Sequence, residues 1–219
     1  MMYTHAHVTT SVNSPWTYSH CMTRVISVIQ SKGGTGKTTL SVMLAEAIRK
    51  MGYTVAVADG DPQQSATRWA SKVEDFPFPI ESVRSSSDFS GVVRRGNNPD
   101  FLIVDTPPGG LAFITESAEA ADLVLLPTGV SPMDIDRTQV TLSWLIEKGI
   151  PTAVVLSNVD RREKLLDEVH AELEGDETAA LAETVIPTRA ATRRVFGTKP
   201  SSTKVWDSLA REVVAAFED

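Results

Sequence analysis

Residues 32–39 read Lys32-Gly33-Gly34-Thr35-Gly36-Lys37-Thr38-Thr39. An apolar run at 25–29 precedes them, and a helical pattern over 37–50 follows. Glycines in a strand-to-helix turn let the backbone curl, so that successive N–H groups point inward at phosphate oxygens. The start of the helix adds positive potential. In such a loop Lys37 bridges the outer phosphates and the Thr38 hydroxyl ligates Mg²⁺. A glycine-rich turn with an incidental lysine is the rival reading; it is disfavoured because motif and context agree. The slot that holds the first glycine of the plain motif is Ser31.

Outward from the loop, short Val- and Ile-rich runs recur at 54–58, 101–104, 123–126, 153–156 and 184–186. They show no polar alternation, the mark of strands covered on both faces. Helical patterns lie between them. Over 37–50, Leu40, Leu44, Ala47 and Ile48 share a face, and Gly52 follows. Over 132–148, Ser131 is a candidate N-cap, Pro132 fits the first helical position, and Ile135, Leu142, Leu145 and Ile146 share a face. Strand then helix, repeated, predicts an α/β fold: a mostly parallel sheet with helices on both faces.

The chain has 219 residues, 42% of them hydrophobic, and a net charge of −7. That excludes bulk disorder, and it argues against a protein that coats nucleic acid over its whole surface. A lone cysteine, Cys21, excludes a disulfide framework and suits a reducing compartment. No apolar run is long enough to span a bilayer. The first 23 residues hold no Lys, Arg, Asp or Glu, yet hold His5, His7 and His20. Residues 1–22 read as a disordered tail or an upstream-start extension rather than a metal tract, and 23–219 as one domain.

Lys32 ahead of Gly-Gly-Thr-Gly-Lys-Thr resembles the deviant Walker A loop of the ParA/MinD ATPases, a branch of the P-loop NTPase fold. The resemblance implies ATP and Mg²⁺ as cofactors. It implies phosphate contacts from Gly33, Gly34, Thr35, Gly36, Lys37, Thr38 and Thr39, and a Lys32 that reaches the phosphates of a partner subunit in an ATP-dependent homodimer. Asp59-Gly60-Asp61-Pro62-Gln63 matches the family's second motif, where Asp61 places the attacking water. Asp105, closing the run 101–105, matches the Walker B residue that holds Mg²⁺ together with Thr38, and the glycines after it suit a switch loop. Asn158 and Pro187 stand where the family contacts adenine.

The match is closest to the small partition ATPases. These are cytoplasmic and nucleoid-associated when ATP-bound; their dimer binds DNA non-specifically and is released when a ParB-like centromere-binding protein stimulates hydrolysis. From 188 to 205 the chain has five basic residues and no acidic one: Arg189, Arg193, Arg194, Lys199 and Lys204. This is the expected DNA patch. The C-terminal stretch is amphipathic but ends in acids, which anionic lipid repels, so Leu209, Val213 and Phe217 read as core and no membrane partner is expected. Iron–sulfur relatives need cysteine pairs that this chain lacks. The alternatives are a nucleotide-gated ATPase positioning a protein cargo and, behind it, a membrane-bound MinD-like regulator.

Overall fold

The computed structural model describes residues 23–95, 97–159, 179–188 and 195–218. Among the described residues eight strands form a sheet in which every pairing is parallel. They are β1 (Arg24–Val28), β2 (Val55–Asp59), β3 (Ile80–Ser82), β4 (Phe101–Asp105), β5 (Leu123–Thr128), β6 (Thr152–Val159), β7 (Ala180–Leu181) and β8 (Ile186–Pro187). Their order is β3-β2-β4-β1-β5-β6-β7, with β8 also on β6. The helices are α1 (Lys37–Lys50), α2 (Ser65–Ala70), α3 (Phe89–Arg95), α4 (Leu111–Glu119), α5 (Pro132–Glu147) and α6 (Lys204–Ala215). From β1 the chain runs to β2, beyond β4, and after β4 it crosses β1 to β5 and continues outward on the other side, so the winding direction reverses beside β1. In a parallel sheet the crevice at such a reversal, beyond the C-terminal strand ends, is where ligands bind.

Every residue of β2, β4 and β5 is buried. Their alternate side chains serve two layers. Val55 and Val57 of β2, Phe101 and Ile103 of β4 face a core shared with α1, α2 and α6. Ala56, Ala58, Leu102 and Val104 face α3, through Phe89 and Val92. Farther along, Val124 meets Ile114 of α4 and Leu145 of α5, while Leu126, Val154 and Leu156 pack on Ile135 and Leu142 of α5. Helices therefore cover both faces.

Two local readings need correction. The apolar stripe expected on α1 is not a stripe: every residue from Leu40 to Ile48 is buried, because α6 covers the side of α1 that faces away from the sheet. Glu46 is buried there and accepts two bonds from Arg49, at 2.9 and 3.2 Å. The run expected at 184–186 pairs only at Ile186–Pro187. Strands β3 and β7 and helices α2, α3 and α4 lie outside the spans the sequence patterns mark. For β3 the cause is plain: it has three residues, none fully buried, at the sheet edge. The start of α5 follows expectation, with Ser131 Oγ accepting from the Asp134 N–H at 3.2 Å and Pro132 at the first helical position.

The C-terminal helix lays Leu209 and Val213 into the core, and Phe217 meets Phe101 with ring centroids 5.7 Å apart. Its apolar face is thus occupied by its own chain. No helix among the described residues is long and apolar enough to cross a membrane. Leu44 lies fully buried on α1, inside that double layer. Leu44→Ala should cost about 2–5 kcal/mol, read as a lowered midpoint in urea unfolding.

Candidate nucleotide-binding site

The turn from β1 into α1 has the dihedrals an anion cradle needs. Gly34 and Gly36 sit at φ 79° and 87°, left-handed conformations in which a Cβ would be strained. The loop is tethered to the far strand by Ser157 Oγ, which donates to the Thr35 carbonyl at 3.3 Å. Lys37 is 7% exposed, and its ammonium donates to the Lys32 carbonyl at 3.2 Å. Burial pulls the Lys37 ammonium below the ordinary lysine range; the carboxylates of Asp105 and Asp61 oppose that pull. Lys37, Asp105 and Asp61 therefore form one electrostatic cluster at the C-terminal strand ends.

Strand register builds the acidic side of that cluster. Asp59 pairs level with Asp105, and Asp105 with Val28, so both strands end beside the loop. Asp59 is fully occupied: it accepts from the Thr67 N–H and hydroxyl at 2.8 Å each, and from the Asp61 N–H at 3.2 Å. Asp61 accepts from the Gln63 N–H at 2.8 Å and is half-buried. Asp105 is different. It is completely buried, one oxygen meets Ser41 Oγ at 3.5 Å, and Oδ2 has no partner. Burial above all, with nearby Asp59 adding to it, pushes its carboxyl up to about 7 against the downward pull of the Thr38 hydroxyl and Lys37. An unpartnered buried carboxylate oxygen beside a threonine hydroxyl is a donor set suited to a hard divalent cation. Among the described residues no three His, Cys, Asp or Glu side chains converge to hold a metal, so a cation here would need oxygens from a ligand.

Beside the loop opens a cleft of about 280 Å³. Gly34, Thr35, Gly36 and Thr39 line one end; Asn158, Pro187 and Ile186 line another, with Leu40 and Trp206. The structure thus brings Asn158 and Pro187 to the phosphate loop. Asn158 also has a backbone reason to be there. It lies next to last in β6, at the irregularity between Ser157 and Val159, at φ 58°, which Asn tolerates better than most residues, and its Oδ1 accepts from Thr188 Oγ1 at 3.1 Å. Trp206 and Ser157 escaped the sequence reading. Trp206 carries no local signal, because it reaches the cleft from α6 only once the chain has folded back across α1.

Lys32 lies on the open side of the loop. Its ammonium meets Asp134 Oδ1 at 2.6 Å, and Ser131 Oγ donates to Asp134 Oδ2 at 2.6 Å. Burial alone would raise the Asp134 carboxyl; Lys32 and Ser131 outweigh it and hold the group below the ordinary carboxylate range. With Lys32 about one-third exposed, such a pair is worth about 0–1 kcal/mol. Its ammonium can therefore leave Asp134 for a better partner at small cost. Of the expected DNA patch, Lys199 and Lys204 are exposed; Arg189, Arg193 and Arg194 lie outside the described residues.

A family model described as the CobQ/CobB/MinD/ParA nucleotide binding domain matches residues 26–199. The chain belongs to that family. Within the CobQ/CobB/MinD/ParA family, the maintenance of carboxysome distribution protein A of Gloeobacter kilaueensis is 34% identical over 151 residues, covering 64% of this chain and 65% of the relative. The chain therefore spans just under two-thirds of that relative's length. Among solved structures, the septum site-determining protein MinD of Pyrococcus horikoshii, complexed with Mg-ADP, superposes with a TM-score of 0.70 at 19% identity, over 90% of this chain and 99% of that one. The pNOB8 ParA bound to nonspecific DNA has a TM-score of 0.62 at 16% identity, again over 90% and 99%. These likenesses establish a P-loop NTPase fold of the ParA/MinD kind.

The raised Asp105 carboxyl has a stability consequence. Its folded pKa, about 7, lies above the ordinary 3.8. Between those values the folded chain holds a proton that the unfolded chain has lost, so this group's contribution falls as pH rises from about 4 to 7 and is flat above. In nucleotide-free protein with chelator, Asp105→Asn should melt higher than wild type at pH 8, by a difference on the order of a few kcal/mol, which shrinks toward pH 4. Parallel melting curves across that range would contradict the burial argument.

Proposed function

We propose that this chain is a Mg²⁺-dependent ATP hydrolase of ParA type, acting in plasmid or chromosome partition. The observation that carries the reading is the unpartnered, fully buried Asp105 Oδ2 beside Thr38 and the Lys37–Asp61 cluster. The triphosphate lies along Gly33–Thr39, and the base enters the cleft lined by Asn158, Pro187 and Trp206. Thr38 and Asp105 would hold Mg²⁺, which when bound would neutralise charge on the outer phosphates. Lys37 leaves the Lys32 carbonyl to bridge those phosphates, and Asp61 orients water for in-line attack. The step needs no strong general base, and unstimulated turnover is slow.

ATP joins two copies. Lys32 exchanges Asp134 for the phosphates of the opposite subunit, which ties association to the triphosphate. The dimer binds DNA without sequence preference through the basic stretch that includes Lys199 and Lys204, and a ParB-like partner stimulates hydrolysis and release. The protein is cytoplasmic, on the nucleoid when ATP-bound. One observation favours a second reading, positioning of a protein cargo: the 34%-identical relative is named for carboxysome distribution. A membrane-bound MinD-like role is less supported, because the apolar face of α6 is committed to α1.

Lys32→Ala should retain nucleotide binding and lose the ATP-induced doubling of mass in light scattering; an intact ATP dimer would contradict the role given to this lysine. Lys204→Ala tests the DNA surface. On random-sequence duplexes it should flatten the slope of log K against log salt by nearly 2, roughly 0.9 per lost contact in each of two subunits. Wild type that fails to bind duplex DNA with ATP and Mg²⁺ would leave cargo positioning as the better reading.

A further inference from the structure

Between Asp59 and Asp61 the chain has a glycine whose backbone is not left-handed. The need there is for space. A methyl group on Gly60 would overlap the Phe113 ring at Cε1 and Cζ. Phe113 belongs to the first turn of α4 and is half-buried at the rim of the layer around Phe89, with ring centroids 6.2 Å apart in an edge-on arrangement. Its ring therefore lies on the backbone immediately before Asp61. On its other side the Gly60 N–H donates to the Asp105 carbonyl at 2.9 Å. The Gly60 peptide is pinned between a strand-end carbonyl and an aromatic ring.

Helix α4 is itself hung on the phosphate loop. It follows directly on Thr106–Gly110, which leaves β4 after Asp105. Thr106 Oγ1 donates to the Val28 carbonyl at 2.7 Å, and a Cβ on Gly33 would touch Pro108 at 3.8 Å. Gly109 and Gly110, both at positive φ, join that contact to the helix. The turn at 106–110 thus passes beside Gly33 and leads through α4 to Phe113, which lies on Gly60 just before Asp61.

We infer that Phe113 is a positioning residue for hydrolysis: pressed on Gly60, it sets the backbone that carries Asp61, and it links that setting to the occupancy of the phosphate loop through the 106–110 turn. The inference rests on the hydrolase reading above. Phe113 touches no reacting atom; it acts through Gly60, whose lack of a side chain makes the contact possible. Simple core packing predicts something different: lost stability with an unchanged rate per folded molecule.

The experiment is single-turnover ATP hydrolysis with Mg²⁺, alongside equilibrium titration with a fluorescent ATP analogue and thermal melting. Misplacing a positioned group by a fraction of an ångström to an ångström can cost up to about a hundredfold in rate. Phe113→Ala should therefore lose about tenfold or more in the hydrolysis rate while nucleotide affinity stays within about twofold. Phe113→Leu, which refills most of the space, should recover most of the rate. Gly60→Ala should be slow because its methyl displaces the ring, and the double variant Gly60→Ala/Phe113→Ala should be faster than Gly60→Ala alone, a non-additivity that independent sites do not show. Should Phe113→Ala fail to fold, the Phe113→Leu, Gly60→Ala and wild-type comparison decides. An active wild type with Phe113→Ala or Gly60→Ala hydrolysing at the same rate overturns the positioning role alone. A wild type with no Mg²⁺-dependent hydrolysis overturns the hydrolase reading beneath it.

Discussion

A lysine ammonium held almost out of water at the end of a parallel sheet is the interaction on which the rest of this structure depends. Lys37 can be buried because the site supplies compensation: the Lys32 carbonyl at 3.2 Å, with the charges of Asp105 and Asp61 in range. Those carboxylates arrive by register. β4 lies between β1 and β2, and the pairing of Asp59 with Asp105 and of Asp105 with Val28 brings three strand ends level. A one-residue slip in either ladder would turn the acids away from the loop and the alternate apolar side chains out of their layers. Sheet order, core packing and site electrostatics are thus one specification.

The parts legible in the sequence are those whose logic is local. The loop at 32–39 names its own chemistry, because glycine, lysine and threonine act within one turn. Asp105 could be found because it closes an unbroken apolar run. The N-cap at Ser131 is likewise a matter of four consecutive residues. Parallel topology followed from strands with no polar side, which β2, β4 and β5 obey.

What stayed hidden depends on distance along the chain. The partner of Lys32 is 102 residues away, and its choice of Asp134 follows from where α5 begins. Trp206 reaches the cleft from the last helix, which looks like an ordinary core helix in sequence. The all-round burial of α1 could not be foreseen from its own residues, since Ser41 and Glu46 are polar; in the fold Ser41 Oγ donates to the Lys37 carbonyl at 3.0 Å and Glu46 accepts from Arg49. Nothing local explains the glycine at 60; only the position of α4 shows that an aromatic ring occupies the space its side chain would fill.

That enclosure of α1 divides the molecule into a stator and moving parts. A helix walled in by a sheet on one side and by α6 on the other has no free volume into which to shift, and close-packed interiors do not deform smoothly. The anion cradle at its head therefore serves as a fixed datum. The opposite face is less enclosed: there the turn at 106–110, α4 and the first turn of α5 leave Leu111 and Met133 80% and 60% exposed. A partner that docks there would meet apolar side chains held next to the turn that follows Asp105, and so would touch the domain where the site and the surface are joined by a few residues of chain.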